Sequence, residues 1–329
     1  MYNVSVVTVF TLSGLDYLMG HKLTLFSFTL IWYALILCVN LSVIVVIIMD
    51  KHLHEPMYIF LCNLCINGLY GTAGFYPKFI ADLVTTHVIS YTNCMLQGYV
   101  IHSSNCGDLS ILALMAYDRY VAICKPLVYH SVMTTKKVCI FVCMAWFVPL
   151  YLMLMNSVSL VGVALCGSHI NRLYCVNWMI VQLTCSPPRA NQMIGYINIA
   201  FYFSHAVFIV WSYIYLIKKC LISKDKNGKF MQTCMPHIVT IINFSFGMLT
   251  DILYMRYGSG DLPQSLLNFI SIEFLLIPPL INPLIYGFKL TKIRNRIITI
   301  FQCQVKNFKK SEPPCDSKST VMEATLPAI

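Results

Sequence analysis

The chain has 329 residues, of which 58% are hydrophobic and only 11% charged, and its mean hydropathy is +0.70. A water-soluble globule of this length does not carry so little charge, so the composition excludes one and points to a polytopic membrane protein. The net charge of +10 sits in short loops and in the tail, which suits a bilayer surface rather than nucleic acid as the partner.

Residues 1–23 precede the first apolar run. Their sequon Asn3-Val4-Ser5 is a glycosylation acceptor, which requires this end to face the lumen or the outside. The matches at Asn40 and Asn243 lie within apolar runs, out of the enzyme's reach. No positive cluster or small-residue site marks a cleavable signal. Seven apolar stretches follow, at about 24–49, 57–81, 94–119, 138–163, 193–218, 231–255 and 263–287. Each supplies the roughly 20 residues with which a helix crosses about 30 Å of hydrocarbon. The expected fold is all-α, a seven-transmembrane helix bundle over 24–288. An outer N-terminus and an odd number of spans put the C-terminus inside. Lys and Arg agree, with eighteen on the cytoplasmic side of this arrangement and five on the other.

The third span carries the most information. Ile101, Asn105, Asp108, Leu112, Met115 and Arg119 are separated by alternating steps of four and three, so they fall along one helical stripe. Asp108 and Arg119 share that face but lie about 16 Å apart along the axis, too far to pair. Arg119 has Asp118 beside it, a charge pair held near the cytoplasmic edge. Asp108 lies near mid-membrane and must either meet polar neighbours or water in the bundle interior or carry a proton. Asn40, Asn67 and Asn282 on other spans are its candidate partners.

The seventh span ends PPLINPLIYGFK. Pro283 lacks a backbone donor, so a bend is expected near Asn282, with side chains or water meeting the freed carbonyls. Asn282 and Tyr286 are four apart and share a face. Residues 289–302, beginning KLTKIRNRIITIF, alternate basic and apolar groups at helical spacing, which predicts a short amphipathic helix on the lipids of the inner leaflet. The polar tail, 303–329, is expected to be disordered and cytoplasmic. Fifteen cysteines are scattered through apolar segments, so metal binding is set aside and no cofactor is expected.

Seven spans, MAYDRYVAIC over Met115–Cys124 with Lys125-Pro126-Leu127 after it, and Asn282-Pro283-Leu284-Ile285-Tyr286 closing span seven resemble the rhodopsin-like G-protein-coupled receptors, and specifically their odorant receptors. His54-Glu55-Pro56-Met57-Tyr58-Ile59-Phe60-Leu61 opens span two as the family's H-x-P-M-Y-x-F-L does. Ser212-Tyr213 is similar to the family's SY in span five, and Lys229, Thr233, Cys234 and His237 to the K-x-x-x-T-C-x-x-H that opens span six.

The resemblance implies a multi-pass plasma-membrane receptor. Asp118 restrains Arg119 at rest, and activation frees Arg119 as span six swings out, with Tyr120 and Tyr286 holding the open form. Into the resulting cavity a G-protein α-subunit of the stimulatory, olfactory type inserts its C-terminal helix. Cys94, Cys166, Cys175 and Cys185 face the oxidising side, where four cysteines allow three pairings. The resemblance selects Cys94 with Cys175 and Cys166 with Cys185. Two positions depart from the family. Gly68 stands where an Asp is usual in span two, which puts a sodium site there in doubt, although Asp108 keeps an acid nearby. Phe244-Ser245-Phe246 replaces the aromatic-Tyr pair of span six.

A ligand pocket is expected between the outer halves of spans three, five, six and seven. His102, Asn105, Tyr202, His205, Asp251 and Arg256 are its candidate polar groups, and Arg256 is placed to clamp a carboxylate, to snorkel to headgroups or to pair with Asp251 or Asp261. The leading reading is a receptor for a small-molecule odorant that raises cAMP. A rhodopsin-like receptor for an endogenous metabolite would share the same switch. A transporter would call for inverted repeats and broken helices, and an enzyme for nucleophile, metal or phosphate motifs that the sequence does not offer.

Overall fold

The computed structural model describes residues 8–15, 20, 22–222, 238–242, 263–289, 292–297 and 299. Within them the chain is mostly helical, with one small sheet. Strand β1 (Val9–Leu12) is followed by α1 (Lys22–Met49), α2 (Pro56–Asp82), β2 (Val88–Ser90) and α3 (Tyr91–Cys124). Next come the short α4 (Tyr129–Val132), α5 (Thr135–Val158), β3 (His169–Ile170), α6 (Asn177–Gln182) and α7 (Arg189–Ile222). The chain then continues through α8 (Gln264–Leu276) and α9 (Pro278–Lys289), and residues 292–297 are helical.

Local chemistry sets the helix starts. Pro56 occupies the first turn of α2, where its missing N–H costs nothing. Ser90 and Thr134 cap α3 and α5 by accepting from the backbone N–H groups of Asn93 and Lys137. Three helical segments among the described residues are long and apolar enough to cross a membrane, Lys22–Met49, Thr135–Val158 and Arg189–Leu216. Their outer faces are apolar too, with Ile31, Ile48, Phe147 and Phe203 each more than half exposed, which suits lipid and not water. Helices α2 and α3 are long enough but bury polar groups, Asn67, Thr72, Ser104 and Asp108 among them, because they pack centrally against other helices.

Several expectations are corrected. The fold is not purely helical: β1 lies between β2, antiparallel, and β3, parallel. The alternation of β1, with Phe10 and Leu12 fully buried and their neighbours facing outward, docks this N-terminal strand over Ile89, Cys94, Ile170 and Cys175. The third span runs on to Cys124, so Asp118 and Arg119 lie inside the helix and not at its end. The fourth helix ends at Val158, short of 163. The interruption in span seven falls at Ile277, just before Pro278-Pro279, and α9 continues through Pro283.

That interruption frees backbone carbonyls, and neighbouring helices meet them. In an unbroken helix Leu275 O would accept from residue 279 and Pro279 O from residue 283, both prolines without an N–H. Instead Tyr76 Oη donates to Leu275 O at 3.3 Å and Asn40 Nδ2 to Pro279 O at 2.7 Å. Trp32 Nε1 donates to Leu276 O at 3.1 Å. Side chains from α1 and α2 thus complete the hydrogen bonding of the broken span.

Candidate functional site

Helix α3 carries the principal groups, and its two ends differ. Near its Cys124 end, Asp118 is fully buried and paired with Arg119, whose Nε donates to Oδ2 at 2.9 Å while an Nη also contacts that oxygen. Tyr129, at the start of α4, donates its hydroxyl to Asp118 Oδ1 at 2.8 Å. Burial, and then the Asp118 charge, raise the Tyr129 phenol above its ordinary pKa, so it remains a donor. Both carboxylate oxygens are therefore occupied. Tyr120 packs against Trp211 and Tyr215 of α7, at 5.6 and 5.7 Å between ring centroids, with the Lys125 ammonium 5.9 Å above its ring. Tyr129 was not singled out from the sequence, because the turn after Cys124 breaks the helical spacing that would relate it to Asp118.

Midway along α3, Asn67 Nδ2 donates to Asp108 Oδ1 and to Ser104 O, each at 2.7 Å, and Ser104 Oγ donates back to Asn67 O at 3.0 Å. Of the three expected partners, Asn67 contacts Asp108 directly. Asn40 instead serves Pro279 O and Ile36 O. Asn282 lines a small cavity with Asn40, Gly68 and Asp108, and its Oδ1 has no hydrogen-bond partner among the described residues. The α2–α3 approach depends on glycine: a Cβ on Gly107 would meet Asn67 Oδ1 at 2.8 Å, and one on Gly71 would collide with Ser104 Oγ.

At the opposite end, Cys94 is bonded to Cys175 and Cys166 to Cys185. Gln97 fastens the same junction, accepting from Cys175 N at 3.0 Å. Beneath it a cavity of about 290 Å³ opens between α3, α5, α6 and α7. His102 and Tyr202 line it, with the Tyr202 hydroxyl 2.7 Å from Cys106 Sγ. Asn177 and Asn198 also line it, and the Oδ1 of each has no partner among the described residues. Neither stands out in the sequence: Asn177 lies between spans four and five, and Asn198 is one of several polar residues on span five.

Two candidates lie away from this cavity. Asn105 is buried in packing and does not line this cavity, and His205 lines a different one, because their positions on α3 and α7 point elsewhere. Asn3, Asp251 and Arg256 lie outside the described residues, as do the Phe244-Ser245-Phe246 and Lys229–His237 motifs, Cys303 and Cys315. Pro283 is buried in α9; Tyr286 is also on α9, with its side chain outside the description. Glu273 of α8 is a further buried acid that the sequence reading passed over, its Oε2 without a partner among the described residues. Cys62 and Cys65 have C-x-x-C spacing but are buried thiols on α2, and no group of three metal-ligating side chains occurs among the described residues. Cys38, Cys139 and Cys143 are exposed.

A helical membrane protein with a sealed ion pair toward one end of its central helix and a cavity toward the other has the form of a receptor. A family model described as Olfactory receptor matches residues 28–304. Olfactory receptor 10G4 of Homo sapiens is 29% identical over 306 residues, covering 91% of this chain and 97% of that protein. Olfactory receptor-like protein COR4 of Gallus gallus is 31% identical over 314 residues, covering 92% and 98%, and COR2 of the same species 32% over 302 residues, covering 90% and 95%. The chain belongs to the olfactory receptor family, which makes it a multi-pass G-protein-coupled receptor and not an enzyme.

Proposed function

We propose that this chain is an odorant receptor with seven membrane spans, its disulfide end outside and its C-terminus in the cytoplasm. It binds a small-molecule odorant in the cavity beneath the Cys94–Cys175 bridge. It signals through a stimulatory, olfactory-type G-protein α-subunit that raises cAMP. The observation that carries the reading is the closed state of Asp118: Arg119 and Tyr129 occupy both carboxylate oxygens, an arrangement that must open before the guanidinium can meet another protein. Asp118, Arg119 and Tyr120 form the coupling switch on α3, and Asn282, Pro283 and Tyr286 its counterpart on α9. His102 and Tyr202 contact the ligand, with Asn177 and Asn198 as further polar groups. The unpartnered amide oxygens favour a ligand with a hydrogen-bond donor. Arg256, Asp251 and the glycan at Asn3 remain proposals from the sequence.

Expression with a cAMP reporter and an odorant panel tests this, with wild type and Arg119→Ala compared at matched surface density. Activation of the wild type and silence of the variant are expected. An equal response from both would remove Arg119 from transduction, and responses through calcium alone would reassign the G protein.

A further inference from the structure

A second cavity, of about 420 Å³, lies between α3, α5 and α7 and shares no lining residue with the one under the disulfide. Its rim includes Met144, 53% exposed, and the exposed Ser204, on the outward faces of their helices. In a membrane protein that rim meets acyl chains, so an occupant enters from the bilayer.

The walls are aromatic. Tyr117 stands edge-on to Phe141 at 6.1 Å and lies 6.5 Å from Phe208. Besides the Tyr117 hydroxyl, which can donate, three polar groups share one property. His205 Nδ1 is 2.9 Å from Phe201 O, and a carbonyl only accepts, so Nδ1 carries the proton and the neutral ring presents the Nε2 lone pair. Ser204 donates its hydroxyl to Phe201 O at 2.8 Å and Ser110 donates to Cys106 O at 3.0 Å. Each has spent its proton on its own helix, so His205, Ser204 and Ser110 all present acceptors. Among the described residues no Lys, Arg, Asp or Glu lines the cavity.

From this lining we infer a second, bilayer-facing ligand site that takes a neutral lipophilic alcohol or phenol, its hydroxyl donating to His205 Nε2. An anion would find no cation among the described lining residues, with the Tyr117 hydroxyl as its O–H donor, and a hydrocarbon would leave His205 unsatisfied. Tyr117 precedes Asp118, so the occupant touches the helical turn that carries the switch. The inference depends on family membership and on neither the odorant nor the G protein.

The test uses the full chain in lipid nanodiscs and a medium-chain alcohol bearing a photoreactive diazirine, with its methyl ether and its carboxylic acid as controls. Labelled positions are read by mass spectrometry. The alcohol is expected to label the segments around Met144 and Ser204–Phe208 above other lipid-facing helices, and unlabelled alcohol should suppress this. The methyl ether, which lacks the donor, and the variant His205→Phe should each reduce labelling about five-fold, as expected for one hydrogen bond. The acid should label more weakly than the alcohol. Even labelling along all lipid-facing helices, or equal labelling of the wild type by alcohol and ether, would overturn the site. Because labelling needs no signalling, a receptor silent to every odorant would leave this result standing, and a responsive receptor without the labelling would refute this site alone.

Discussion

Asp108 and Asp118 stand ten residues apart on one helix, both buried, and their carboxyl groups are met in opposite ways. Asp118 has a guanidinium and a phenol, whereas Asp108 is held by the Asn67 amide. The first arrangement sits toward the end of α3, where the Arg119 side chain keeps 15% of its surface exposed, so it can open by swinging one side chain toward water. The second is built into a helix–helix contact too close for a Cβ on Gly107, so opening it means parting α2 from α3. One carboxylate is a joint and the other a fastening.

Removing the cation from the joint should have the largest effect. Arg119→Ala leaves a fully buried carboxylate with only Tyr129, and breaking a buried pair costs about 3 kcal/mol or more. Thermal unfolding of purified receptor should register that loss. Adding Asp118→Asn should restore most of it, since no charge is then stranded. If the double variant melts as early as the single one, the loss comes from packing of the arginine stem. Asp118→Asn alone keeps an acceptor for Tyr129 and removes the charge that Arg119 faces on α3, so it should raise basal cAMP.

At the fastening, Gly107→Ala must push against Asn67 Oδ1 at 2.8 Å and should cost about 1–3 kcal/mol. Gly68→Ala, one residue along from Asn67, is the matched control. Its nearest neighbours would be Asn40 Oδ1 and Pro279 Cβ at 3.7 Å, an ordinary contact, so no loss is expected and helix propensity should add up to about 1 kcal/mol. Comparable losses at both would mean that the close approach at Gly107 does not set the cost, since helix propensity alone favours alanine at either site. Asn40→Leu comes next. It strips Pro279 O of its donor, for about 1–2 kcal/mol in the same assay, and a neutral result would mean water replaces the amide.

How far these features could be read in advance follows from their sequence spacing. Asp108 and Arg119 fall on one stripe because α-helical periodicity is local, and so the stripe from Ile101 to Arg119 was legible. Asn67 as the Asp108 partner was one of three asparagines that composition alone ranked equally; the close approach at Gly107 selects it. Tyr129 and the carbonyl donors Trp32 and Tyr76 were not legible, since each contact crosses a turn or joins helices far apart in sequence. The strand Val9–Leu12 is too short to give a periodic signal of its own, and it is a strand only because β2 and β3 flank it. His205 was legible as a polar group on span five, but which of the two cavities it lines was not, because α7 contributes residues to both.

The smallest effect is expected where ion pairs are exposed. Lys292 Nζ lies 2.8 Å from Glu55 Oε1, and Arg296 Nε lies 3.3 Å from Asp50 Oδ2. Together they join the helical residues after α9 to the turn after α1, so part of the basic face meets carboxylates of the protein rather than lipid headgroups. Lys292 and Glu55 are each 57% exposed, and such pairs contribute about 0–1 kcal/mol and weaken with salt. Lys292→Gln should therefore shift melting only slightly, and less at high salt. The hydrogen bond to Glu55 raises the Lys292 ammonium above its ordinary 10.5. A raised folded-state pKa gives a contribution that is complete below the unfolded value and lost as pH climbs through the folded one, so this group adds no slope at neutral pH and a loss only in alkali. A large salt-insensitive loss in Lys292→Gln would instead point to the ammonium over the Tyr58 ring, 6.0 Å from its centroid, and Lys292→Arg, which retains charge and stacking, should then recover it.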